Sequence, residues 1–322
     1  MGYDLTAVGE FLIDFAPKGL SANGLHQFAA SPGGAPANVC AMFAKLGGRT
    51  AFVGKVGSDP FGAMLRNTLL DNGIAADGLI MDAAAPTSLA FVTLGEDGER
   101  DFCFYRKNSA DTMLRPEELN REMLENSKFV HYGSVSLTDE PARSATFYAV
   151  ELARAAGNVI SYDPNYRPAL WHDEDMARDM MLRGAALADI IKVSDEEAIF
   201  LTKTEDLEEA SRILAAMGPS VVLITCGAEG VCYRTAADTG RIPGFSVRPV
   251  DTTGAGDTFM GTFLYCAKDM SPKEIAFLGG ERMGQIMRCC NAAAAITTTG
   301  LGAIAAMPDM EQINSLLRAY AG

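Results

Sequence analysis

The stretch DIIKVSDEEAIFLT, residues 189–202, passes in one step from an apolar strand ending at Ser194 to a helix over 195–202. The same unit recurs on both sides. Upstream, FVHYGSV (129–135) precedes a helix over 140–156, and VISYD (159–163) precedes a helix over 173–188. Downstream, a helix over 206–217 leads into SVVLIT (220–225). Short apolar strands alternating with helices predict an α/β fold, a mostly parallel central sheet with helices on both faces. Nearer the N-terminus, DLTAVGEFLIDF (4–15) reads as one buried strand ending near Asp14. APANVCAMFAKLGG (35–48) reads as a helix closed by glycines, TAFVGKVG (50–57) as a strand, and DPFGAMLRNTLLDNG (59–73) as a helix stopped at Asn72-Gly73. One segment breaks the alternation. TSLAFVTLGEDGERDFCFYR (87–106) holds two β-rich runs around Asp97-Gly98, a hairpin signal, and reads as an appended flap with Phe102, Phe104 and Arg106 on one face. No repeat or long linker interrupts the chain, so a single domain is expected over 1–322, with the hairpin 87–106 inserted in it.

Of 322 residues, 48% are hydrophobic, enough for a large core. The formal net charge is −14, with 27 basic and 41 acidic residues. That balance argues against nucleic acid or an anionic membrane as a partner, and any phosphate must be held locally. The seven cysteines are scattered without metal-site spacing and read as reduced, mostly buried thiols of a cytoplasmic protein. The N-terminus has no basic segment before its apolar run, so no secretion signal is expected, and no uncharged apolar run reaches the ~18 residues of a membrane span. His26, His131 and His172 lie in unrelated contexts, which argues against a histidine triad or zinc site. Asp14, Asp163, Ser194 and Thr225 each end or follow an apolar run; ligands of open α/β sheets bind at such strand ends.

The chemistry is densest in DTTGAGDTF, 251–259, a loop entering an apolar helix. Gly254, Ala255 and Gly256 present backbone N–H groups at a helix N-terminus, which suits an anion, and Asp257 falls in the first turn. An anion hole beside a carboxylate fits phosphoryl transfer to a hydroxyl, the carboxylate taking the proton. No G-x-x-x-x-G-K-[ST] loop occurs, and GLGAIA (300–305) has too little chain after it for a dinucleotide-binding unit.

With SPGGAPANVCAMFAKLGGRTAFVGKVGSDPFG (31–62) and DTTGAGDTF, the chain resembles the ribokinase-type (PfkB) carbohydrate kinases over essentially its whole length; GEFLIDF (9–15) and DPNYRPALW (163–171) are similar to the fructokinase branch. The resemblance implies a ribokinase-like fold with a small β lid, here the flap hairpin, and an ATP- and magnesium-dependent kinase acting on a primary sugar hydroxyl, D-fructose at O6 in this branch. It implies Asp257 as base with Gly254, Ala255 and Gly256 as anion hole, and Asp14, Gly33, Gly34 and Asn38 as sugar binders; Phe104 and Arg106 on the lid and Arg167 join them. KVSDEE implies Ser194 near the nucleotide, where the family usually has Asn, and Glu197 near magnesium. TCGAEG (225–230) implies Thr225, Gly227 and Gly230 as nucleotide loop, with Asn291 near adenine. Asp251 and Thr253 match a potassium loop completed by carbonyls around Thr297, Gly300, Gly302 and Ala306. A homodimer is expected. Two other readings stand beside fructokinase: a 2-keto-3-deoxygluconate kinase, favoured by two arginines near the sugar, and a non-catalytic sugar or nucleotide sensor on the same fold.

Overall fold

The computed structural model describes residues 2–94 and 100–320, and of residues 93, 94 and 100–102 the backbone alone. Its strands are β1 (Tyr3–Val8), β2 (Leu12–Leu20), β3 (His26–Gly33), β4 (Thr50–Gly57), β5 (Ile74–Asp82), β6 (Leu89–Leu94), β7 (Arg100–Tyr105), β8 (Ser127–Gly133), β9 (Val159–Asp163), β10 (Ile190–Ser194), β11 (Val221–Thr225), β12 (Val231–Thr235) and β13 (Thr239–Ile242). Among the described residues nine of them form one sheet in the order β13-β12-β11-β10-β9-β8-β1-β4-β5. It is parallel from β11 to β5, and β12 and β13 extend it as antiparallel strands.

Side-chain alternation along the central strands feeds two cores. Ile190 and Leu223 point to one face, where helices Ala35–Lys45, Ala255–Cys266 and Gly280–Thr298 bring Met42, Phe43, Phe259, Phe263 and Met287. Ile191, Val193, Val222 and Ile224 point to the other, covered by helices Ala142–Ala155, Glu174–Leu187, Asp195–Thr202 and Leu207–Ala216. With both faces covered, strands read as unbroken apolar runs, and that is why they were visible in the sequence. Helix starts follow ordinary capping: Asp59, Asp173, Ser194 and Asp206 each accept an amide of the first turn.

The expected single strand over 4–15 is two strands in two sheets. β1 ends at Val8 in the large sheet, the chain turns through Gly9–Phe11, and β2 begins at Leu12 in a smaller sheet ordered β3-β2-β6-β7. Gly9 packs against Pro36, where a Cβ would lie 2.7 Å from the ring. Both runs are apolar, so polarity does not mark the break. The hairpin expected at 87–106 is present as β6 and β7, registered from Leu89↔Tyr105 to Leu94↔Arg100; its Asp97-Gly98 turn lies outside the described residues. It forms half of the small sheet, and β2 and β3 form the other half. No helix among the described residues is long and apolar enough to cross a membrane. The cysteines are free; Cys40, Cys226 and Cys290 are buried, three are half-buried, and Cys103 is exposed, so fewer are buried than expected. His131 is fully buried while His26 and His172 are exposed, and no cluster of metal-binding side chains occurs among the described residues.

Candidate active site

The carboxyl ends of β9, β10 and β11 place Asp163, Ser194 and Thr225 along one edge of the large sheet, Ser194 directly beside Thr225. Asp14 is not part of that row. It sits within β2, paired with Ser31 and Ala90, and reaches the site from the small sheet. Between the two sheets lies a cavity of about 320 Å³, lined among others by Glu10, Asp14, Asn38, Phe104, Arg167 and Asp257. Gly34 also lines it, while Gly33 acts through Asp14: a Cβ on Gly33 would fall 2.0 Å from Asp14 Oδ2.

Asp257 is buried in the first turn of helix Ala255–Cys266, and Oδ2 accepts a 2.8 Å hydrogen bond from Asn38 Nδ2. Burial pushes its carboxyl up to about 6, the Asp163 charge adds to this, and the Asn38 bond with the Lys192 and Arg167 charges pulls the other way. Asp14 is likewise raised to about 6 by burial, against the pull of Arg167 and with Asp251 and Asp257 adding to the rise. The helix dipole alone would make Asp257 a weak base; desolvation here outweighs it. Gly254 caps the helix with φ 78°, a left-handed conformation suited to glycine, and lies where a Cβ would be 2.5 Å from Ala303 Cβ. The first-turn amides have no partners within the helix; that of Ala255 bonds Thr252 O at a long 3.3 Å.

A second cavity, of about 790 Å³, opens on the other side of this helix start. Ser194, Thr225, Gly227, Gly230 and Asn291 all line it, with Phe245, Val247, Pro249 and Phe259 supplying apolar walls. The loop 243–250 carrying three of those walls gave no signal in the sequence beyond its lack of periodicity. Asn291 Nδ2 donates to Ile242 O (3.2 Å) and Pro243 O (3.0 Å), and so holds that loop. Ser194 lines the cavity and is also the helix cap, accepting from Glu197 N at 3.1 Å. Lys192, Thr252 and Gly256 line both cavities.

Beyond the helix start, Asp251 ties two loops together. Oδ1 accepts from Thr253 N (2.9 Å) and Oδ2 from Gly302 N (3.1 Å), while Val250 N and Asp251 N donate to Thr298 O. Gly300 packs on Ala306, and Gly300 N donates to Thr297 O at 3.2 Å. The six positions expected around a monovalent cation are therefore gathered on adjoining loops.

One expected residue is placed differently. Arg106 does not line the cavity. Its guanidinium is buried and given to Asp111 Oδ2 (2.6 Å), Thr138 Oγ1 (2.7 Å) and Val135 O (3.0 Å), so it braces the lid rather than facing a sugar. Glu197 is oriented by backbone amides: Oε2 accepts from Ser194 N (2.8 Å) and Oε1 from Tyr166 N (2.6 Å). The side chain of Phe102 lies outside the described residues. Two residues went unnoticed, Lys192 and Glu10. Lys192 and Asp163 form a buried pair at 2.8 Å; a lysine inside an apolar strand is the signal that was available. Glu10 is 3% exposed, its Oε1 accepts from Ala35 N, and its Oε2 has no partner among the described residues.

The pfkB family carbohydrate kinase profile matches residues 3–310. The chain is 45% identical over 318 residues to Probable fructokinase-4 of Arabidopsis thaliana, covering 98% of this chain and 96% of that one. Its fold is similar to the crystal structure of fructokinase with bound ATP from Xylella fastidiosa, with TM-score 0.92, 33% identity, and coverage of 99% and 100% of the two chains. A fructokinase double mutant from Vibrio cholerae O395, in fructose, ADP and potassium ion bound form, superposes with TM-score 0.87 at 33% identity over 98% of this chain and 99% of that one.

Proposed function

The chain belongs to the pfkB family of carbohydrate kinases, and from that premise we propose that it transfers the γ-phosphoryl group of ATP to O6 of D-fructose. The observation that carries this reading is Asp257: a buried carboxylate raised to about 6, held by Asn38, lining the small polar cavity next to Gly256, which lines both that cavity and the larger, partly apolar one. The smaller cavity takes the sugar, with Asp14, Asn38, Gly34 and Arg167 as hydroxyl partners and Phe104 against the ring. The larger takes the nucleotide, with Ser194, Thr225, Gly227, Gly230 and Asn291 around it. The sugar hydroxyl oxygen bonds to the γ-phosphorus and its proton passes to Asp257. The bond to the β–γ bridging oxygen breaks, ADP leaves, and the amides of Gly254–Gly256 face the charge in flight.

The residues present fit a magnesium ion at the ATP phosphates, near which Glu197 would stand, each of its carboxylate oxygens keeping a lone pair beside its one backbone bond. Magnesium there supplies charge neutralisation to the phosphates. Potassium belongs to the Asp251–Thr253 and Thr297–Ala306 loops. A cytoplasmic location is part of the proposal, supported by seven free cysteines.

The sugar-acid reading loses one of its two arginines, because Arg106 is committed to Asp111. Arg167 remains, lining with Glu10, Asp14 and Asp257 a cavity rich in carboxyl groups, which disfavours a carboxylate substrate. The test is ADP release over a panel of ketoses, aldoses, sugar acids and nucleosides. Fructose is expected to give the highest kcat/KM; a tenfold higher value for 2-keto-3-deoxygluconate overturns the fructose assignment. Arg167→Ala is expected to lower kcat/KM for fructose roughly ten- to two-hundredfold, the equivalent of ~1.5–3 kcal/mol for a charged hydrogen bond.

A further inference from the structure

We propose that Lys192 is a catalytic residue whose ammonium holds the phosphoryl group as it crosses from the nucleotide cavity to the sugar cavity. The inference rests on the kinase reading but not on which sugar is used. Three residues line both cavities, and Lys192 alone among them carries a charge. Position 192 shares the β10 face of Ile190, which looks toward helix Ala255–Cys266. There the side chain reaches the helix start: a Cβ on Gly256 would lie 2.7 Å from Lys192 Nζ. Glycine at 256 thus lets the ammonium rest against the first-turn backbone, where a helix N-terminus favours an anion. Asp163 Oδ2 fixes Nζ at 2.8 Å, and an ammonium has three hydrogens, so donors remain for phosphate oxygens.

In the step itself the new P–O bond to the sugar forms as the P–O bond to ADP breaks, and the sugar proton goes to Asp257. Lys192 neither gains nor loses a proton. It offsets the charge on the phosphoryl oxygens midway, where the enclosing cavity keeps water from screening it.

The competing role is structural: Lys192 only neutralises the buried carboxylate of Asp163. Lys192→Met alone strands that carboxylate and risks the fold. The decisive protein is therefore Lys192→Met combined with Asp163→Asn, which removes both charges together. Its kcat is expected to fall about 10²–10³-fold, as on loss of one donor to a developing anion. Binding is then read by calorimetry without sugar, using magnesium with a non-hydrolysable ATP analogue or with ADP. The analogue is expected to lose at least about tenfold in affinity and ADP less than about threefold, because only the analogue carries the γ-phosphoryl group. A double variant with near-wild-type kcat, or one that binds both nucleotides equally weakly, makes Lys192 a partner of Asp163 alone and overturns the proposal.

Discussion

At the scale of single residues, the site is assembled from carboxyl groups that the fold prefers uncharged. Asp257 at about 6 is near the value a general base needs at neutral pH, ionised yet still willing to take a proton. Asp257→Asn preserves the shape and the contact with Asn38 but removes the acceptor. A positioned base contributes typically ~10²–10⁴-fold, so kcat is expected to drop at least about a hundredfold with sugar binding little changed. Wild-type kcat/KM should fall on the acid side through about pH 6, and an acid limb well below pH 5 would rule out Asp257 as the titrating base. Glu10 shows the stability side of the same physics. Burial raises it from 4.5 to about 7, so folding favours its protonated form. The sign follows: its contribution is fully present below pH 4.5 and is lost as pH rises to about 7. Glu10→Gln keeps an acceptor for Ala35 N without the charge. The variant is expected to melt higher than wild type at pH 8, by a few degrees at roughly 2–4 °C per kcal/mol, with the gap closing toward pH 4.5. A gap of constant size across that range would show that ionisation of Glu10 is not its cause.

At the scale of elements, the informative unit is the pair of loops joined by Asp251. The loop 250–254 delivers the start of helix Ala255–Cys266, and 297–306 backs it through Gly302 and Thr298. We propose that a cation between them stiffens the anion hole, so potassium is expected to raise kcat about two- to tenfold, the equivalent of ~0.4–1.4 kcal/mol, over tetramethylammonium at matched ionic strength. Equal rates in potassium, sodium and tetramethylammonium would remove the cation from the site. Most of this unit was legible in the sequence, because DTTGAGDTF fixes both the acid and the helix start. The parallel strands were legible for the same kind of reason: buried on both faces, they read as apolar runs. What escaped notice depends on contacts distant in sequence. The split of 3–20 into β1 and β2 is set by packing of Gly9 on Pro36. The loss of Arg106 from the sugar pocket is set by Asp111 and Thr138, and position 106 alone carries no sign of them. The role of Glu10 needed the cavity itself.

At the scale of the whole molecule, the small sheet covers the smaller cavity with one face and offers the other outward. Asp14, Ala90 and Phe104 are cross-strand neighbours on the inner face. By alternation Phe15, Phe91 and Tyr105 lie on the outer face, where Phe15 stacks on Phe91 and both Phe28 and Tyr105 meet Phe91 edge-on. Phe28 is 47% and Tyr105 63% exposed, although aromatic clusters of this kind are ordinarily covered. A second copy of the chain, docked sheet to sheet, would cover such a face, and a stable contact needs only about 1,200–2,000 Å² in total. The chain is therefore expected to sediment as a dimer at micromolar concentration. Phe28→Glu together with Tyr105→Glu places charge on that face and is expected to yield a folded monomer. Because the inner face carries Asp14 and Phe104, loosening the lid should raise the sugar KM more than it lowers kcat, leaving nucleotide affinity unchanged. A wild-type chain that sediments as a monomer, or a double variant that remains dimeric, would move the interface away from the lid.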